Sequence, residues 1–479
     1  MAITKITEQN IPEDWYWSTL GEVSDVIAGN PAPQGKEYFK NGSYPFVRVQ
    51  DMGRLGAKVH MTETHDLVND KAIKKLRLFP SGSILFTKSG ASTLLNQRAI
   101  LGSDMYVVSH IAGAIPKESI TSKWLYYWMK LIDFNSLAHA TTLPSLPLSR
   151  AKEIPVPVAP KEQQEGIVEE IEKQFSRLDE AVTSLKRAKA NLKRYKAAVL
   201  KAAVEGKLTE EWRKQNPNVE PAAELLKRIL AERRRNWEEI ELAKMSAKGK
   251  EPKDDRWKER YQELNGIDNG FPMLPKKWIW CRLGQISDVI GGITKNRKRE
   301  TYEIKITYLR VANVYANELR LGKVSKIGLF DSEIDKALLR KNDLLIVEGN
   351  GSKEQIGRVA IWDGTIDPCV HQNHLIKVRF YIEQMAQYVL WWLLSSPGRR
   401  FVDEVASSTS GLYTLSISKV SNLPVPLPPL DEQIQIVAVL DPYFSSITES
   451  HKIVETNQLR SNRYRQAILS KAFRLTFAN

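Results

Sequence analysis

Two segments, one in each half of the sequence, combine small residues with polar side chains that can bind other molecules. Residues 88–98 read KSGASTLLNQR, and residues 348–358 read EGNGSKEQIGR. Small residues let the backbone approach a phosphate group, while Lys, Gln, Asn and Arg side chains can address the edges of bases. The alternative interpretation is a pair of tight turns without a ligand. The candidate contact residues in these segments are Lys88, Ser89, Ser92, Gln97, Arg98, Asn350, Ser352, Lys353, Gln355 and Arg358.

A second pair of segments is rich in hydroxyl groups. Residues 139–150 read HATTLPSLPLSR, and residues 406–419 read ASSTSGLYTLSISK. Hydroxyl groups and backbone amides beside a basic residue can clamp a phosphate, although turns rich in Ser and Thr that bind nothing are the alternative. The candidate residues here are Thr141, Thr142, Ser408, Thr409 and Tyr413.

Motifs for catalysis or for cofactor binding are absent from the sequence. It contains no GxxxxGK[ST] loop, no strand-linked GxGxxG and no HExxH. His371 and His374 form a close histidine pair without a third metal ligand beside them, so a structural polar contact is the favoured interpretation. Cys281 and Cys369 lie far apart and are interpreted as ordinary, partly buried thiols. We therefore predict that the chain is not an enzyme and that it binds neither a metal nor a cofactor itself.

The candidate segments belong to an internal repeat. The segment PEDWYWSTLGEVSDVIAG matches LPKKWIWCRLGQISDVIGG, with an offset of 263 residues between Trp15 and Trp278. Further along, FVRVQDM pairs with YLRVANV, and SILFTKSGAS pairs with DLLIVEGNGS. The offset changes between these blocks, as insertions in surface loops would cause. The repeat predicts a tandem duplicate of one globular unit.

A third repeated block begins at two proline-rich joints. PVPVAPKEQQ at Pro155 matches PVPLPPLDEQ at Pro424, and the offset of 269 residues persists to Tyr195 and Tyr464. Uninterrupted spacing indicates a long helix, whereas the proline segments must be extended connectors. Apolar residues then recur at spacings of three and four, which predicts a heptad seam in each copy. The seam positions are Ile171, Phe175, Leu178, Val182, Leu185, Leu192, Tyr195 and Val199 in the first copy, and Val437, Leu440, Phe444, Ile447, Val454, Tyr464 and Ile468 in the second.

The second seam is less regular than the first. His451, Gln458 and Ser461 interrupt it, and Pro442 is expected in the first turn of the helix or at a kink. Stripes of some forty residues are each about 60 Å long and exceed the core of a small domain. We therefore expect them to cover each other in an intramolecular antiparallel coiled coil, which would place the two globular domains at opposite ends.

Each globular unit is predicted to be a mixed α/β (α+β) domain with a curved sheet. WYWSTLGEVSDVI, KWIWCRLGQISDVI, SILFT and DLLIVE are typical of strands, and WLYYWMKLI and MAQYVLWWLL of amphipathic helices. Trp15 and Trp17 are expected in the core. The predicted organisation is a first globular domain at 1–154, a first helical region at 155–209, a charged linker at 210–270, a second globular domain at 271–423 and a second helical region at 424–479.

The charge distribution favours a polyanionic partner. The chain of 479 residues has a net charge of +14, and residues 210–268 are neutral, with fourteen basic and fourteen acidic side chains. The positive excess therefore lies in the repeated units. Within the neutral segment, ERRRNW is interpreted as a solvated helical face rather than as a nucleic-acid patch. No apolar run is long enough to span a membrane, and we expect a cytoplasmic protein.

In the order and spacing of these features, the sequence resembles the specificity (S) subunits of type I restriction-modification systems. The resemblance is carried by the WxxxxLG openings at Trp15 and Trp278, by the joints at Pro155 and Pro424, and by the helix ends LKRYKAAVLKAAVEGKL and SNRYRQAILSKAF. It covers nearly the whole chain except residues 210–268. Members of this family alternate two variable target-recognition domains with two conserved helical regions.

The resemblance implies a division of labour. Each recognition domain would read one half of a split, asymmetric double-stranded DNA target, and the helices would set the unread gap. Two methyltransferase subunits, which hold S-adenosylmethionine, would dock on the helices, and motor-nuclease subunits would join them. Two alternatives remain: a member of a fused methyltransferase or nuclease line, and a coiled-coil scaffold that binds only proteins.

Overall fold

The computed structural model describes residues 11–56, 58–90, 96–137, 145–250, 252, 254–264, 266–267, 270–409 and 411–473. The chain divides into two compact units: unit 1 comprises residues 1–187 and 453–479, and unit 2 comprises residues 188–452. Each unit contains a mixed α/β domain and segments of two long helices. The predicted fold class and the tandem duplication are thereby confirmed.

The elements of the first half of the chain are these. The strands are β1 Tyr16–Thr19, β2 Ser24–Ala28, β3 Tyr44–Val47, β4 His60–Met61, β5 Asp66–Val68, β6 Leu78–Phe79, β7 Ile84–Thr87, β8 Arg98–Leu101, β9 Met105–Val107, β10 Ile111–Pro116 and β11 Pro155–Val158. The helices are α1 Leu20–Val23, α2 Val49–Arg54, α3 Asp70–Ile73, α4 Ser122–Leu131, α5 Leu148–Lys152 and the long α6 Lys161–Val204.

The elements of the second half, which begins with two additional helices, are these. The strands are β12 Ile279–Arg282, β13 Ser287–Gly291, β14 Lys305–Leu309, β15 Val314–Tyr315, β16 Glu318–Leu319, β17 Ser325–Gly328, β18 Leu344–Val347, β19 Gly349–Asn350, β20 Val359–Ile361, β21 Cys369–His371, β22 Leu375–Phe380, β23 Ser407–Thr409, β24 Leu412–Thr414 and β25 Pro424–Leu427. The helices are α7 Glu210–Gln215, α8 Ala222–Ser246, α9 Leu283–Ile286, α10 Asp331–Ala337, α11 Met385–Leu394, α12 Ser396–Val405, α13 Ile417–Ser421 and the long α14 Leu430–Ala472.

The two domains share their sheet topology. Within its described residues, unit 1 has one sheet in the order β2-β10-β7-β8-β4 and a second in the order β5-β3-β9-β6. Unit 2 has the corresponding orders β13-β22-β18-β20 and β17-β14-β21. In both domains the pairing inside the second sheet includes one parallel ladder, β3 with β9 and β14 with β21. The strands predicted from SILFT and DLLIVE are the buried β7 and β18, and the two predicted helices are α4 and α11.

The opening strand of each domain pairs with the proline-rich joint that leads into the long helix. β1 pairs antiparallel with β11, and β12 pairs antiparallel with β25. The joints are therefore extended, as predicted, and two-stranded ladders tolerate proline because the missing N–H groups face away from the partner strand. Carbonyl groups of the joints accept hydrogen bonds from buried indoles: Trp128 Nε1 donates to Pro155 at 2.8 Å, and Trp392 Nε1 donates to Pro424 at 2.8 Å.

The first tryptophan of each repeat joins its domain core to the start of a long helix. Trp15 and Trp278 are both 6% exposed. The indole of Trp15 donates to Gln163 at 2.8 Å, and the indole of Trp278 donates to Glu432 at 2.8 Å. The predicted core position of Trp15 is confirmed, whereas Trp17 is half-buried and lies 5.8 Å from the ring of Trp128.

In unit 1, the start of α6 packs against the end of α14. Ile171 shares a buried core with Leu469 and Phe473. Farther along α6, Asp179 forms an ion pair with Arg465. Contacts advance along α6 as they recede along α14, so these two helix segments are antiparallel.

In unit 2, the end of α6 packs against the start of α14 with the same polarity. Lys196 lies over the ring of Phe444, and Leu200, one turn farther along α6, shares a buried core with Leu440. The antiparallel packing of α6 and α14 predicted from the two heptad seams is therefore found in each unit.

One seam position in each copy was wrongly predicted. Tyr195 and Tyr464 are 48% and 53% exposed. The basic residues that follow them, Lys196 and Arg465, are half-buried on the packed face instead. A heptad pattern of 3.5 residues drifts relative to the 3.6 residues of a helical turn, so a pattern fixed at one end of the helix selects the wrong neighbour at the other.

These two basic residues occupy equivalent places in the repeat. Each cation lies 4.9 Å from the ring centre of a phenylalanine on the opposite helix. The pairs are Lys196 with Phe444 and Arg465 with Phe175. The aliphatic stems of Lys and Arg can line an apolar seam while the charged ends stay near water, which explains why a basic residue fits there.

The interruptions of the second seam lie where predicted, and of the two expectations for Pro442 only the first turn is excluded. His451, Gln458 and Ser461 are all half-buried on the packed face of α14. Pro442 stands inside the 43-residue helix, well past its first turn, and is exposed. Its expected place in the first turn was wrong because α14 begins earlier, at Leu430.

Residues 210–270, interpreted from the sequence as a charged linker, are largely helical. α8 contributes Ala222, Leu225 and Ile229 to the buried core of unit 2. The basic residues of ERRRNW make contacts inside this region: Arg234 pairs with Glu238 at 3.1 Å. The polar remainder of α8 is solvated, and its apolar stripe attaches the segment to the second domain.

Candidate nucleic-acid interface

The two candidate segments of the first domain, which are far apart in the sequence, lie side by side. The backbone N–H of Leu146 donates to the carbonyl of Lys88 at 2.7 Å, and Ser89 forms an antiparallel bridge with Ser145. The hydroxyl of Ser89 is 2.9 Å from Nδ1 of His110. One end of β7 and the residues before α5 therefore form a single polar surface.

In the second domain, the two equivalent segments also meet, and their junction is a small three-stranded sheet. β19, from the Gly-rich segment, pairs antiparallel with β24, and β24 pairs with β23 from the hydroxyl-rich segment. Asn350 and Ser408 are both register partners of Tyr413. The structure thus brings Asn350, Ser408, Thr409 and Tyr413 into one cluster of strands.

The loop between β19 and β20 is held at its base and exposed at its tip. Ser352, Lys353 and Gln355 are exposed, whereas Ile356 is fully buried. The guanidinium of Arg399 donates to the carbonyl of Lys353 at 2.9 Å. The loop therefore presents polar side chains on a fixed backbone, which suits the reading of a rigid partner.

A buried glycine and an Asx turn set the shape of this loop. Oδ1 of Asn350 accepts from the backbone N–H of Ser352 at 3.0 Å. Gly357 has φ of +67°, and a Cβ atom there would lie 2.4 Å from Val402. Only glycine fits this position without strain, so the turn is fixed by the local sequence.

Arg358 is displayed on an aromatic platform. Its guanidinium carbon lies 4.7 Å from the ring centre of Tyr315, and that of Arg320 lies 3.8 Å from the same ring. Arg320 is also held by Glu318 at 2.8 Å. The two guanidinium groups share one ring beside β20, where the backbone N–H of Asn317 donates to the carbonyl of Val359 at 2.9 Å.

Arg98, the repeat counterpart of Arg358, is not at the surface. It is 3% exposed, its guanidinium carbon lies 3.7 Å from the ring centre of Phe134, and its Nη2 donates to Asn96 at 2.7 Å. Burial lowers the pKa of Arg98 to about 9, and the nearby Tyr126 and Asp133 act in the opposite direction. The predicted direct contact from Arg98 is therefore corrected: this side chain supports the loop internally.

The remaining predicted residues divide into two groups. Ser92, Thr141 and Thr142 lie outside the described residues, and only the backbone of Ser408 and Thr409 is described. Lys88 and Gln97 are half-buried at the ends of the loop in unit 1. Gln97 faces a cavity beside the long helices.

Several residues at this surface were missed from the sequence. Tyr315 and Arg320 belong to a hairpin of β15 and β16 in a part of the repeat where the offset changes, so no equivalent in the first copy signalled them. His110 acts through its contact with Ser89, and Arg399 acts through the carbonyls of Lys353 and Ile356. Neither residue belongs to a local motif. The occurrence of an aromatic and a basic residue five positions apart, Tyr315 and Arg320, is the signal that could have found this pair.

Glu348 lies between β18 and β19, at the base of the β19–β20 loop. Burial raises the pKa of its carboxyl group, and His374, with its Nδ1 3.8 Å away, acts in the opposite direction. His371 points elsewhere: it is fully buried, and its Nδ1 is 3.1 Å from the carbonyl of Ala337. The two histidines of HQNH therefore contact different groups and do not converge on one site.

In the described part of the chain, no group of three or more His, Cys, Asp or Glu residues is arranged to hold a metal ion.

Both cysteines are free and fully buried. Burial raises the pKa of the Cys281 thiol and raises that of Cys369 to about 12. Both therefore remain protonated and unreactive at neutral pH.

Across the residues that the structure describes, no helix has the length and apolar character needed to cross a membrane.

Comparison with known proteins gives one consistent result. The family model for the type I restriction modification DNA specificity domain matches residues 12–194 and 275–460. The EcoKI specificity subunit of Escherichia coli K12 is 23% identical over 97% of this chain and 89% of its own length. The MjaIX specificity subunit of Methanocaldococcus jannaschii is 23% identical over 96% of this chain and 93% of its own length.

Two solved structures share the fold. A chain from a type I R-M system, studied for its complex assembly and conformational transition, has a TM-score of 0.64 at 16% identity and covers 97% of this chain and 99% of its own. The HsdS subunit from Thermoanaerobacter tengcongensis has a TM-score of 0.52 at 17% identity, with 98% of each chain covered. The relatives are specificity subunits, which confirms the predicted resemblance and the prediction of a non-catalytic subunit. The chain belongs to the type I restriction modification DNA specificity domain family.

Proposed function

We propose that this chain is the DNA-specificity subunit of a type I restriction-modification complex and that each of its domains reads one half of a split DNA target. The observation that carries the proposal is the junction described above. In each domain, two polar segments from distant parts of the sequence meet at one surface. Such a surface offers backbone amides, hydroxyl groups and basic side chains together, which are the groups that contact phosphates and base edges.

The two surfaces differ in chemistry, so the target is proposed to be asymmetric. The surface of unit 1 carries Lys88, Ser89 and His110, whereas that of unit 2 carries Lys353 and the Arg358–Tyr315–Arg320 stack. Because different donors and acceptors select different bases, two unlike surfaces would read two unlike half-sites. The equivalent arginines sharpen the difference, since Arg98 is buried and Arg358 is half-buried on its platform.

The long helices are proposed to fix the distance between the two half-sites. α6 has 44 residues and α14 has 43, and helices of this length span about 65 Å at 1.5 Å per residue. A stiff spacer allows two domains to dock on DNA only at a defined separation. It also raises the effective concentration of the second domain once the first has bound, so two modest half-site affinities combine into useful specificity.

The same helices are proposed to dock the partner subunits. Apolar side chains of α14 stand in water: Leu459 is 77% exposed, Ile453 51% and Tyr464 53%. Covering this apolar area with a partner would be favourable, which makes α14 a candidate docking element. Two methyltransferase subunits would bind here and would hold S-adenosylmethionine, and motor-nuclease subunits would join the assembly. A cytoplasmic location follows from this proposal.

The first test is co-expression of the chain with a type I methyltransferase subunit, followed by methylation of a random DNA library and sequencing of the modified positions. We expect a split, asymmetric motif with one fixed gap. Absence of methylation together with absence of salt-dependent DNA binding would contradict the proposal and favour a coiled-coil scaffold.

A second test assigns the reading surface in unit 2. Replacing Lys353 and Arg358 together with Ser and Gln should change or abolish recognition of one half-site while the other half-site is retained. Exchange of Lys326, a lysine of β17 outside the junction, for Ser serves as the control. Equal loss of both half-sites would show that this loop is not the reading element.

A further inference from the structure

Unit 1 contains a cavity where its domain meets its segments of α6 and α14. The cavity has a volume of about 1240 Å³. Its lining includes the rings of Tyr126 and Tyr127 and more cationic than anionic side chains. The cations are Lys58, Arg98, Lys130, Lys186, Arg187 and Arg465, and the anions are Glu172, Asp179 and Glu180.

Two of the three carboxylates already have partners. Asp179 forms an ion pair with Arg465. Glu172 accepts from Lys123 at 2.9 Å and from the hydroxyl of Tyr127 at 3.3 Å. The positive charge of the other cations is therefore left largely uncompensated.

Lys130 is the clearest case. Within the described part of the chain it has no ion pair and no hydrogen bond, and its ammonium group lies 5.9 Å from the ring centre of Tyr126. Burial lowers its pKa, and the charges of Arg98 and Arg465 lower it further. A half-buried ammonium group with cationic neighbours is a costly arrangement unless an anion joins it.

The equivalent place in unit 2 is apolar. Trp128 and Trp392 make equivalent hydrogen bonds to the two proline joints, so α4 is the repeat counterpart of α11. In this alignment, the residue of unit 2 that corresponds to Lys130 is Leu394. In unit 2 the ring of Trp391 stacks on Phe444, with centroids 4.4 Å apart and planes at 19°. A structural role for Lys130 would not explain this difference, since the other copy packs the same junction with leucine.

We propose that the cavity of unit 1 binds a phosphate group of a ligand of nucleotide size, with Lys130 as the principal contact. Arg98 supplies positive potential from beneath the surface, and the buried rings of Tyr126 and Tyr127, 4% and 3% exposed, form part of the cavity wall. Two sources could supply this chemistry: a backbone phosphate of the bound DNA, in which case the inference rests on the proposed function, or a free nucleotide.

The test compares Lys130→Leu, which installs the residue of unit 2, with Lys130→Arg, which keeps the charge. Specific DNA binding by the complex with its methyltransferase is measured at several salt concentrations. If the ligand is backbone phosphate, Lys130→Leu reduces the log–log salt slope by about 0.9, the value for one phosphate contact, and Lys130→Arg does not. In thermal unfolding without DNA, Lys130→Arg should match the unmodified chain, and Lys130→Leu should be at least as stable because it removes a half-buried charge.

A second arm, without DNA, titrates the same complex with adenosine monophosphate and with adenosine. Binding of the monophosphate alone, weakened at least tenfold by Lys130→Leu and kept by Lys130→Arg, would identify a free nucleotide as the ligand. An unchanged salt slope together with no monophosphate binding would overturn the proposal. If the unmodified complex shows no specific DNA binding at all, the proposed function fails, and the monophosphate arm still decides on the cavity.

Discussion

The main sheets of the two domains share the order of four strands, β2-β10-β7-β8 and β13-β22-β18-β20, but equivalent buried side chains differ in polarity. On the pair β10–β7 of unit 1, Gly113 takes the place that Lys377 has on the pair β22–β18 of unit 2. Just before β7, Ser83 corresponds to Asp343, which comes just before β18. Gly113 makes room for the ring of Phe79, to which a Cβ atom would come within 2.7 Å. In unit 2, the ammonium group of Lys377 donates to the carbonyls of Lys336 and Leu338 at 2.8 and 2.9 Å.

The comparison shows how one topology accepts a buried cation. The carbonyls that Lys377 caps lie at the end of α10, where the helix dipole favours positive charge. Asp343, 2% exposed, is held by Arg379 at 2.6 Å. Burial still lowers the pKa of Lys377 to about 8, with Arg379 also lowering it and Asp343 raising it. The backbone of the sheet is thus shared, and the space behind it is filled by a ring in one copy and by a satisfied charge network in the other.

The largest effect on stability is expected at the start of α14, which carries a buried charge where the start of α6 carries a neutral residue. The carboxylate of Glu432 is fully buried and is held by Arg213, by the hydroxyl of Thr209 at 2.7 Å and by Trp278, whereas the equivalent residue in unit 1 is Gln163. Removing one partner of a buried pair costs about 3 to 5 kcal/mol. Arg213→Leu should therefore lower the unfolding free energy of unit 2 by about that amount in denaturant titrations.

A double variant tests whether the uncompensated charge of Glu432 causes this loss of stability. Adding Glu432→Gln, the unit 1 residue, to Arg213→Leu should recover most of the loss because no buried charge remains. If the double variant is as unstable as the single one, the loss reflects packing and not charge.

Acidification should destabilise unit 2 through His371, which has Val107 as its counterpart in unit 1. Burial and, to a smaller extent, the charge of the adjacent Lys377 together lower the pKa of His371 to about 4. The unfolded chain, with a pKa near 6.5, binds more protons between these values, so stability falls as the pH decreases from about 6.5 to about 4. The loss approaches 3 kcal/mol at about 1.4 kcal/mol per pH unit.

The variant His371→Val measures this contribution. Relative to the unmodified chain, its melting temperature should rise progressively as the pH is lowered through that window. A difference in melting temperature that stays constant between pH 7 and pH 4 would contradict the assignment to His371.

Gly113→Ala tests the other side of the comparison. The added methyl group would overlap the ring of Phe79, which is fully buried. Overpacking of this kind costs about 1 to 3 kcal/mol. Thermal unfolding should show the loss in unit 1, and a second change of Phe79→Leu should restore part of it. A neutral Gly113→Ala would mean that the ring moves aside freely.

The smallest effects distinguish the two faces of the long helices. Tyr464→Ser should change the unfolding free energy by less than about 0.5 kcal/mol because the side chain is 53% exposed. Arg465→Ser should cost about 1 kcal/mol or more, since it removes the stacking on Phe175 and the ion pair with Asp179. Equal losses of stability from the two changes would show that Tyr464 also packs in the seam between the helices.

Local pattern alone predicted much of the architecture. The repeat, the proline joints, α6 and α14, and the strands β7 and β18 followed from spacing and residue type, because backbone restriction and hydrophobic periodicity act over a few neighbours. These features need no knowledge of what lies across the core.

Tertiary structure decided the rest. It brought Lys88 to Leu146 and Asn350 to Tyr413, buried Arg98 under Phe134 while leaving Arg358 on Tyr315, and replaced Tyr195 with Lys196 on the packed face of α6. None of these choices is encoded by neighbours in sequence, because each depends on which distant side chain fills the adjoining space. The sequence by itself therefore determined the repeated scaffold, and long-range packing determined which polar side chains of that scaffold face a ligand.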